Sequence, residues 1–231
     1  MKWITVICLI VILSSCGSDK LYSQQSRTFK KHFKTNLDVE RLLSIQGGGS
    51  FNLPNYPATD NGYMITPKVF DGGEEYALNN EVVKFDPNIG DHYLDSNQSS
   101  PFGRNNSFTQ NDITTDSFYV PRKLKVNAPS DFEISADDIF TWQPDPKNKC
   151  LTFSIIDHDT IGNTLAKQYL IKDDGQFVMP ASIVNQLNAE YVNVSFSRYV
   201  DKTIKCSDGK LIKVITYSGS SGLFKTKKAA Q

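Results

Sequence analysis

The sequence predicts a mainly β protein, an antiparallel β-sandwich preceded by an irregular, turn-rich segment. Three observations carry this. Leu151, Phe153 and Ile155 alternate with Thr152 and Ser154, and Val192, Val194 and Phe196 alternate with Asn193, Ser195 and Ser197; this is the period of strands buried on one face. Asp173-Asp174-Gly175 and Asp208-Gly209 each stand between apolar runs, as hairpin turns do. Between Phe51 and Tyr119 the breakers Asn52-Leu53-Pro54-Asn55-Tyr56-Pro57, Asp71-Gly72-Gly73 and Asp86-Pro87-Asn88 follow too closely for long elements.

Taken in chain order, residues 1–15 read as an export leader. Lys2 precedes an apolar run of 11 residues, Trp3 to Leu13. A membrane-spanning helix needs about 20 such residues, so the run has the length of a signal segment instead. Polar Gly17-Ser18-Asp19-Lys20 ends it at once. The stretch Leu13-Ser14-Ser15-Cys16 resembles a bacterial lipoprotein signal and matches the lipobox at all four positions. That resemblance implies a diacylglycerol on the Cys16 sulfur, cleavage before Cys16 and acylation of the new amine. Two or more acyl chains anchor a protein stably. The 216 residues left after 15 are removed are therefore expected to be tethered in the cell envelope. Gly17 is not the aspartate associated with inner-membrane retention in enteric bacteria, which makes the outer membrane the expected address. The face of that membrane is left open.

Residues 16–36 are polar and charged, interrupted by Leu21, Tyr22, Phe29 and Phe33, and read as a tether. Residues 37–121 form the irregular segment. Within it, Asp38 to Ile45 has the spacing of two helical turns with Val39, Leu42 and Leu43 on one side, closed by Gly47-Gly48-Gly49. Tyr63 to Thr66 and Glu81 to Phe85 are the candidate strands. Aromatics recur from Phe51 to Tyr119, whereas disordered segments are poor in them, so this segment is expected to be ordered although irregular.

The sandwich is expected over residues 122–217. Tyr169-Leu170-Ile171 and Phe177-Val178-Met179 predict one hairpin, and Ile204 to Cys206 with Leu211 to Tyr217 a second. Pro180 suits the first turn of a short helix, Ala181 to Leu187, with Ile183, Val184 and Leu187 as its apolar face. The run Ile139-Phe140-Thr141-Trp142-Gln143-Pro144, followed by the strand at Leu151, resembles the opening strands of fibronectin-like sandwiches. That resemblance implies a strand tryptophan packed into the core. The helix after Pro180 departs from the fibronectin pattern. The immunoglobulin arrangement, a tryptophan between two bridged cysteines, is absent because Trp142 precedes both Cys150 and Cys206. Residues 218–231 read as a flexible tail opening on Ser218-Gly219-Ser220-Ser221-Gly222.

Cys8 leaves with the leader and Cys16 carries lipid, so Cys150 and Cys206 remain in an exported chain, where disulfides persist. A bridge between them closes a loop of 55 residues. In the chain-entropy model such a loop contributes roughly 4 kcal/mol; two free thiols are the alternative. With Lys2 gone, 24 basic side chains face 25 acidic ones. A balanced chain lacks the basic patch that nucleic acid requires, and Lys225-Thr226-Lys227-Lys228 reads as a solvated end. Besides the membrane, the expected partner is a protein or a glycan.

Catalytic chemistry finds little support. Asp157-His158-Asp159 has the composition of a metal corner, or of a base beside its orienting acid, with Asp173 and Asp174 nearby. Adjacent strand residues point to opposite faces, so it reads as a polar turn. Asp86 to Asp95, which contains His92, is rich enough in oxygen for Ca²⁺ but lacks the ligand order of an EF-hand. His32 sits among the tether lysines. Cys150 or Cys206 beside His158 would be a nucleophile only if unbridged. Gly219-Ser220-Ser221-Gly222 has the wrong spacing for a serine-hydrolase elbow, and Gly47-Gly48-Gly49-Ser50 lacks the lysine of a phosphate loop. No catalytic residue, metal ligand or cofactor is assigned. Three readings follow: a non-catalytic envelope lipoprotein engaging another envelope component, a glycan-binding or adhesive surface lipoprotein, and a metal-dependent enzyme centred on His158 or His92. The mature chain keeps 25 of 26 aromatics, more than a sandwich core buries, and exposed rings suit protein interfaces and sugar stacking alike.

Overall fold

Two long strands at the end of the chain organise everything else. The computed structural model describes residues 22–23, 41–58, 60–68, 76–86, 91–93, 100–158 and 164–227. The leader, Cys16 and His32 lie outside them. Six strands come first: β1 (Tyr22–Ser23), β2 (Leu42–Ser50), β3 (Asp60–Lys68), β4 (Tyr76–Leu78), β5 (Glu81–Asp86) and β6 (Asp91–Tyr93). Short pieces follow, namely β7 (Arg104–Asn106), β8 (Phe108–Gln110), β9 (Ile113–Thr114) and β10 (Phe118–Val120). The C-terminal part holds β11 (Val126–Asn127), β12 (Glu133–Ile134), β13 (Ile139–Trp142), β14 (Cys150–His158), β15 (Thr164–Lys172) and β16 (Gln176–Val178). After the helix α1 (Ala181–Val184) come β17 (Tyr191–Lys205) and β18 (Leu211–Thr226).

The fold is mainly β and layered. A large sheet runs in the order β1-β15-β14-β17-β18-β2-β3-β6-β5-β4-β8-β9, with β12 also pairing to β18. A three-stranded sheet, β11-β13-β16, covers part of it, and β10 pairs with β7 apart from both. Between the two main layers lies a core of Phe51, Phe140, Trp142, Leu151, Phe153, Ile155, Phe177, Val192, Val194, Phe196 and Phe224 with their neighbours. Trp142 is buried there, its ring 5.5 Å from that of Phe196. Ile183, Val184 and Leu187 from the α1 region join the same core, so that apolar face was read correctly.

The hairpin of β17 and β18 closes at Asp208-Gly209, where Gly209 has a φ of 83° that suits glycine. Its far half carries a second core that combines Ile204, Cys206, Ile212 and Val214 with Leu43, Ile45, Ile65, Leu78, Val83, Phe108, Phe118 and Val120. Residues on both sides of Pro121 therefore build one sheet and share cores. The candidate strands of the irregular segment fall within β3 and β5. β4 and β5 join through Asn79-Asn80, both at positive φ (53° and 65°), the conformation of a tight type I′ hairpin.

Four expectations are corrected. Leu42 to Ile45 is not helical: β2 lies parallel to β18, with Leu43 beside Val214 and Ile45 beside Thr216. Apolar residues at 43, 45 and 65 fill the second core, and that period of two prevails over the short helical spacing. Asp173-Asp174-Gly175 is a turn but not a hairpin, because β15 pairs with β14 while β16 pairs with β13 in the other sheet. Ser218 to Gly222 is no flexible tail but the middle of β18. Leu124 crosses its inner face, with Leu124 N–H donating to Ser218 Oγ (2.6 Å) and Ser220 Oγ donating to Leu124 C=O (2.9 Å). Small residues are what such a close crossing admits.

The Cys150–Cys206 bridge is the fourth. Thr152 lies opposite Ser197, which puts Cys150 level with Tyr199. Cys206 stands seven residues farther along the strand direction, about 23 Å at 3.3 Å per residue, far beyond the reach of a disulfide. Cys206 is a free, buried thiol in the second core. Cys150 is disulfide-bonded, though not to Cys206.

Candidate functional site

Two of the acidic groups that the sequence flags for chemistry, Asp157 and Asp173, hold the fold. Asp157 is 2% exposed and accepts from the backbone N–H of Asn188 (2.7 Å) and Ala189 (2.9 Å), fixing the loop that leads into β17. Asp173 accepts from Trp142 Nε1 at 2.8 Å and pairs with Arg198. The side chains of His158 and His92, and residues 87–90 of the oxygen-rich loop, lie outside the described residues. Among the described residues, no three His, Cys, Asp or Glu side chains gather as a metal site would need. A small recess beside Gly48, Gly49, Lys123 and Lys125 has room for about one water, too little for an organic substrate.

Two enclosed charge networks tie the layers together. Arg198, on β17, donates to Asp173 and also to the carbonyls of Arg122 (3.1 Å) and Gln143 (2.6 Å). Asp145 accepts from the Tyr119 hydroxyl (2.9 Å) and from the backbone N–H of Arg122, Lys147 and Asn148. Burial alone would raise the pKa of Asp145, but these donors outweigh it and hold the carboxyl below its ordinary range. Each carboxylate oxygen of Asp173 and Asp145 thus has at least one donor.

Among the described residues, the exposed aromatic rings are Tyr56, Phe132, Tyr191 and Tyr217. β2 runs on through Phe51, which enters the core, to Asn52, which joins the small sheet by a parallel bridge to Asn127. The chain then turns tightly, Leu53 and Tyr56 exchanging backbone hydrogen bonds of 2.9 and 3.2 Å. This turn presents Tyr56, 54% exposed, against Phe132, 48% exposed, with ring centroids 5.0 Å apart. Phe132 holds a φ of 57°, a left-handed conformation that a bulky residue adopts at a cost of about 1 kcal/mol or more.

Several contacts impose that conformation. Asn55 donates from its backbone N–H to Asp131 Oδ1 (3.0 Å) and from its side-chain amide to Asp131 Oδ2. Ser130 Oγ donates to the Glu133 carbonyl at 2.6 Å, and Lys225 N–H donates to the Phe132 carbonyl at 2.7 Å. Two loops are thus cross-linked so that a strained phenylalanine and a tyrosine face solvent side by side. Around them lie charges of both signs, Glu133 with Lys227 (3.8 Å) and Glu190 with Lys225 (3.3 Å). The rings are tilted by 56°, so they do not form the coplanar shelf on which a sugar ring stacks. The two exposed rings, surrounded by mixed charge, form a candidate contact patch.

Sequence reasoning did not single out Tyr56 or Phe132. The breakers from Asn52 to Pro57 announced one turn, but its pairing with Asp131, 76 residues away, is a product of the tertiary fold. Compared with known proteins, the chain matches no family model, no curated protein and no solved structure.

Proposed function

We propose that this chain is a non-catalytic, lipid-anchored envelope lipoprotein whose β-sandwich engages a protein partner through the Tyr56–Phe132 pair. The lipobox residues Leu13-Ser14-Ser15-Cys16 supply the anchor, and the outer membrane is its address. Among the described residues no helix is long and apolar enough to cross a membrane. The observation that carries the reading is Phe132, an exposed aromatic held in a strained conformation by a dedicated clamp. Strain of that kind persists where function selects the arrangement.

The test has two arms. Cys16→Ala is expected to move the protein from the membrane fraction to the soluble fraction; a variant that stays in the membrane overturns the anchor. A photo-crosslinking residue in place of Tyr56 is expected to give one discrete protein adduct in cells, weakened by Asp131→Ala. An adduct pattern no different from that of a probe at exposed Lys210 overturns the docking patch. Digestion by added proteinase on intact cells assigns the partner to the outside, and protection until permeabilisation assigns it to the periplasm.

A further inference from the structure

The second surface is the solvent face of the large sheet. Its register aligns four side chains in one row across four strands: Tyr199 opposite Tyr217, Tyr217 opposite Gln46, and Gln46 opposite Met64. The row is about 14 Å long, three strand spacings. Tyr217 is 38% exposed and Met64 39% exposed, and Gln46 is exposed as well. The Gln46 amide is oriented by donating to Ser44 Oγ at 2.9 Å.

Tyr217 lies along its own strand. A Cβ placed on Gly219 would come within 2.5 Å of the Tyr217 hydroxyl and 3.0 Å of its Cζ, so the phenol end occupies the space over that glycine. Its hydroxyl is hydrogen-bonded to Ser197, which faces Gly219 on the next strand. The next rows are hydroxyl-bearing: Thr152 beside Ser197, and Ser195, Ser221 and Ser50 in line, with Ser154 buried at the end of that line. Among the described residues these rows contain no acidic or basic side chain. On the other side of the tyrosine row, Asp201 and Lys213 neutralise each other at 3.1 Å.

We propose that this face is a contact surface for a neutral glycan chain lying across the strands. A reclining ring offers an apolar face to the C–H side of a sugar ring, while hydroxyls and an amide at strand spacing match its polar edge. The alternatives fit worse. Nucleic acid and anionic lipid call for clustered lysine and arginine, and a protein interface of the usual kind calls for an apolar centre with a charged rim. The inference is independent of the Tyr56–Phe132 patch and of the anchor.

The test is an array of uncharged oligosaccharides (glucans, mannans, galactans and chitooligosaccharides) probed with the detergent-solubilised, anchored protein, then calorimetric titration with the strongest binder. Tyr217→Ala and Gln46→Ala are each expected to weaken binding about tenfold, the loss of one stacking or amide contact. Ser221→Glu, an exposed position whose change disturbs no core contact, is expected to abolish binding with an unchanged thermal midpoint. Phe132→Ala is expected to leave the affinity unchanged. No binding to any uncharged glycan overturns the proposal, and so does binding kept within twofold by both Tyr217→Ala and Ser221→Glu.

Discussion

Arg198 and Asp173 form a fully enclosed ion pair: Nε donates to Oδ2 at 2.6 Å and Nη2 to Oδ1 at 2.8 Å, with both side chains 0% exposed. The pair joins the long strand β17 to the turn after β15, and Trp142 adds a third donor from the small sheet. A buried pair gains little over well-packed apolar residues, but a broken one leaves a charge without solvent or partner. Asp173→Ala is therefore expected to cost about 3–5 kcal/mol in urea unfolding. The double replacement Asp173→Leu with Arg198→Met is expected to cost clearly less than the single change. Equal losses would mean that the pair acts only through its volume.

This pair also shows where the sequence stops being legible. The alternation in β14 and β17, the hairpin at Asp208-Gly209 and the apolar face of Ile183, Val184 and Leu187 are local patterns, and they were readable. The parallel pairing of β2 with β18 is not local. It unites residues some 170 positions apart, and nothing between Leu42 and Gly49 names its partner. Ser218 to Gly222 misled for a related reason: small residues there read as flexible until Leu124 is seen crossing them. The candidate binding patch was invisible because its two rings come from turns that only the folded sandwich brings together.

Asp145 and Tyr119 give the protein a pH signature at both extremes. The Asp145 carboxyl lies below its unfolded value, so its contribution to stability is complete above about pH 4 and is lost as pH falls through the folded value. Tyr119 is pushed up to about 12, first by burial and then by donating to Asp145. Its contribution is complete below about pH 10 and is lost as pH rises through the folded value. Ultraviolet titration is expected to show a tyrosine ionising well after the exposed ones, and Asp145→Asn is expected to bring it down. The same variant is expected to flatten the acid limb of the stability curve. A Tyr119 titration that ignores Asp145→Asn would break the link.

Burial pushes the Cys206 thiol up, against a hydrogen bond from Arg41 that favours the thiolate. A buried thiol of raised pKa reacts slowly. Cys150 is disulfide-bonded in the full chain, but not to Cys206. With Cys8 removed in the leader and Cys16 carrying lipid, the anchored reading requires that disulfide to be absent, leaving Cys150 and Cys206 as the thiols of the mature chain. Native protein is expected to leave Cys206 unmodified by a thiol reagent, while denatured, membrane-extracted protein exposes both thiols. Peptide mass mapping is expected to find an N-terminal Cys16 carrying lipid. An unlipidated Cys16 disulfide-linked to Cys150 would refute the anchor directly.

Phe132 offers the sharpest separation of stability from binding. Its left-handed backbone disfavours a bulky side chain, whereas asparagine tolerates that conformation. Relief of strain opposes the loss of the ring contact with Tyr56, itself worth about 0.5–1.5 kcal/mol. Phe132→Asn is thus expected to leave the unfolding free energy within about 1 kcal/mol of the parent while the Tyr56 crosslink disappears. An ordinary structural phenylalanine would behave the other way, losing stability and leaving the adduct intact. If the crosslink survives Phe132→Asn with stability unchanged, the strained ring serves no partner, and the docking role of this end of the sandwich falls with it.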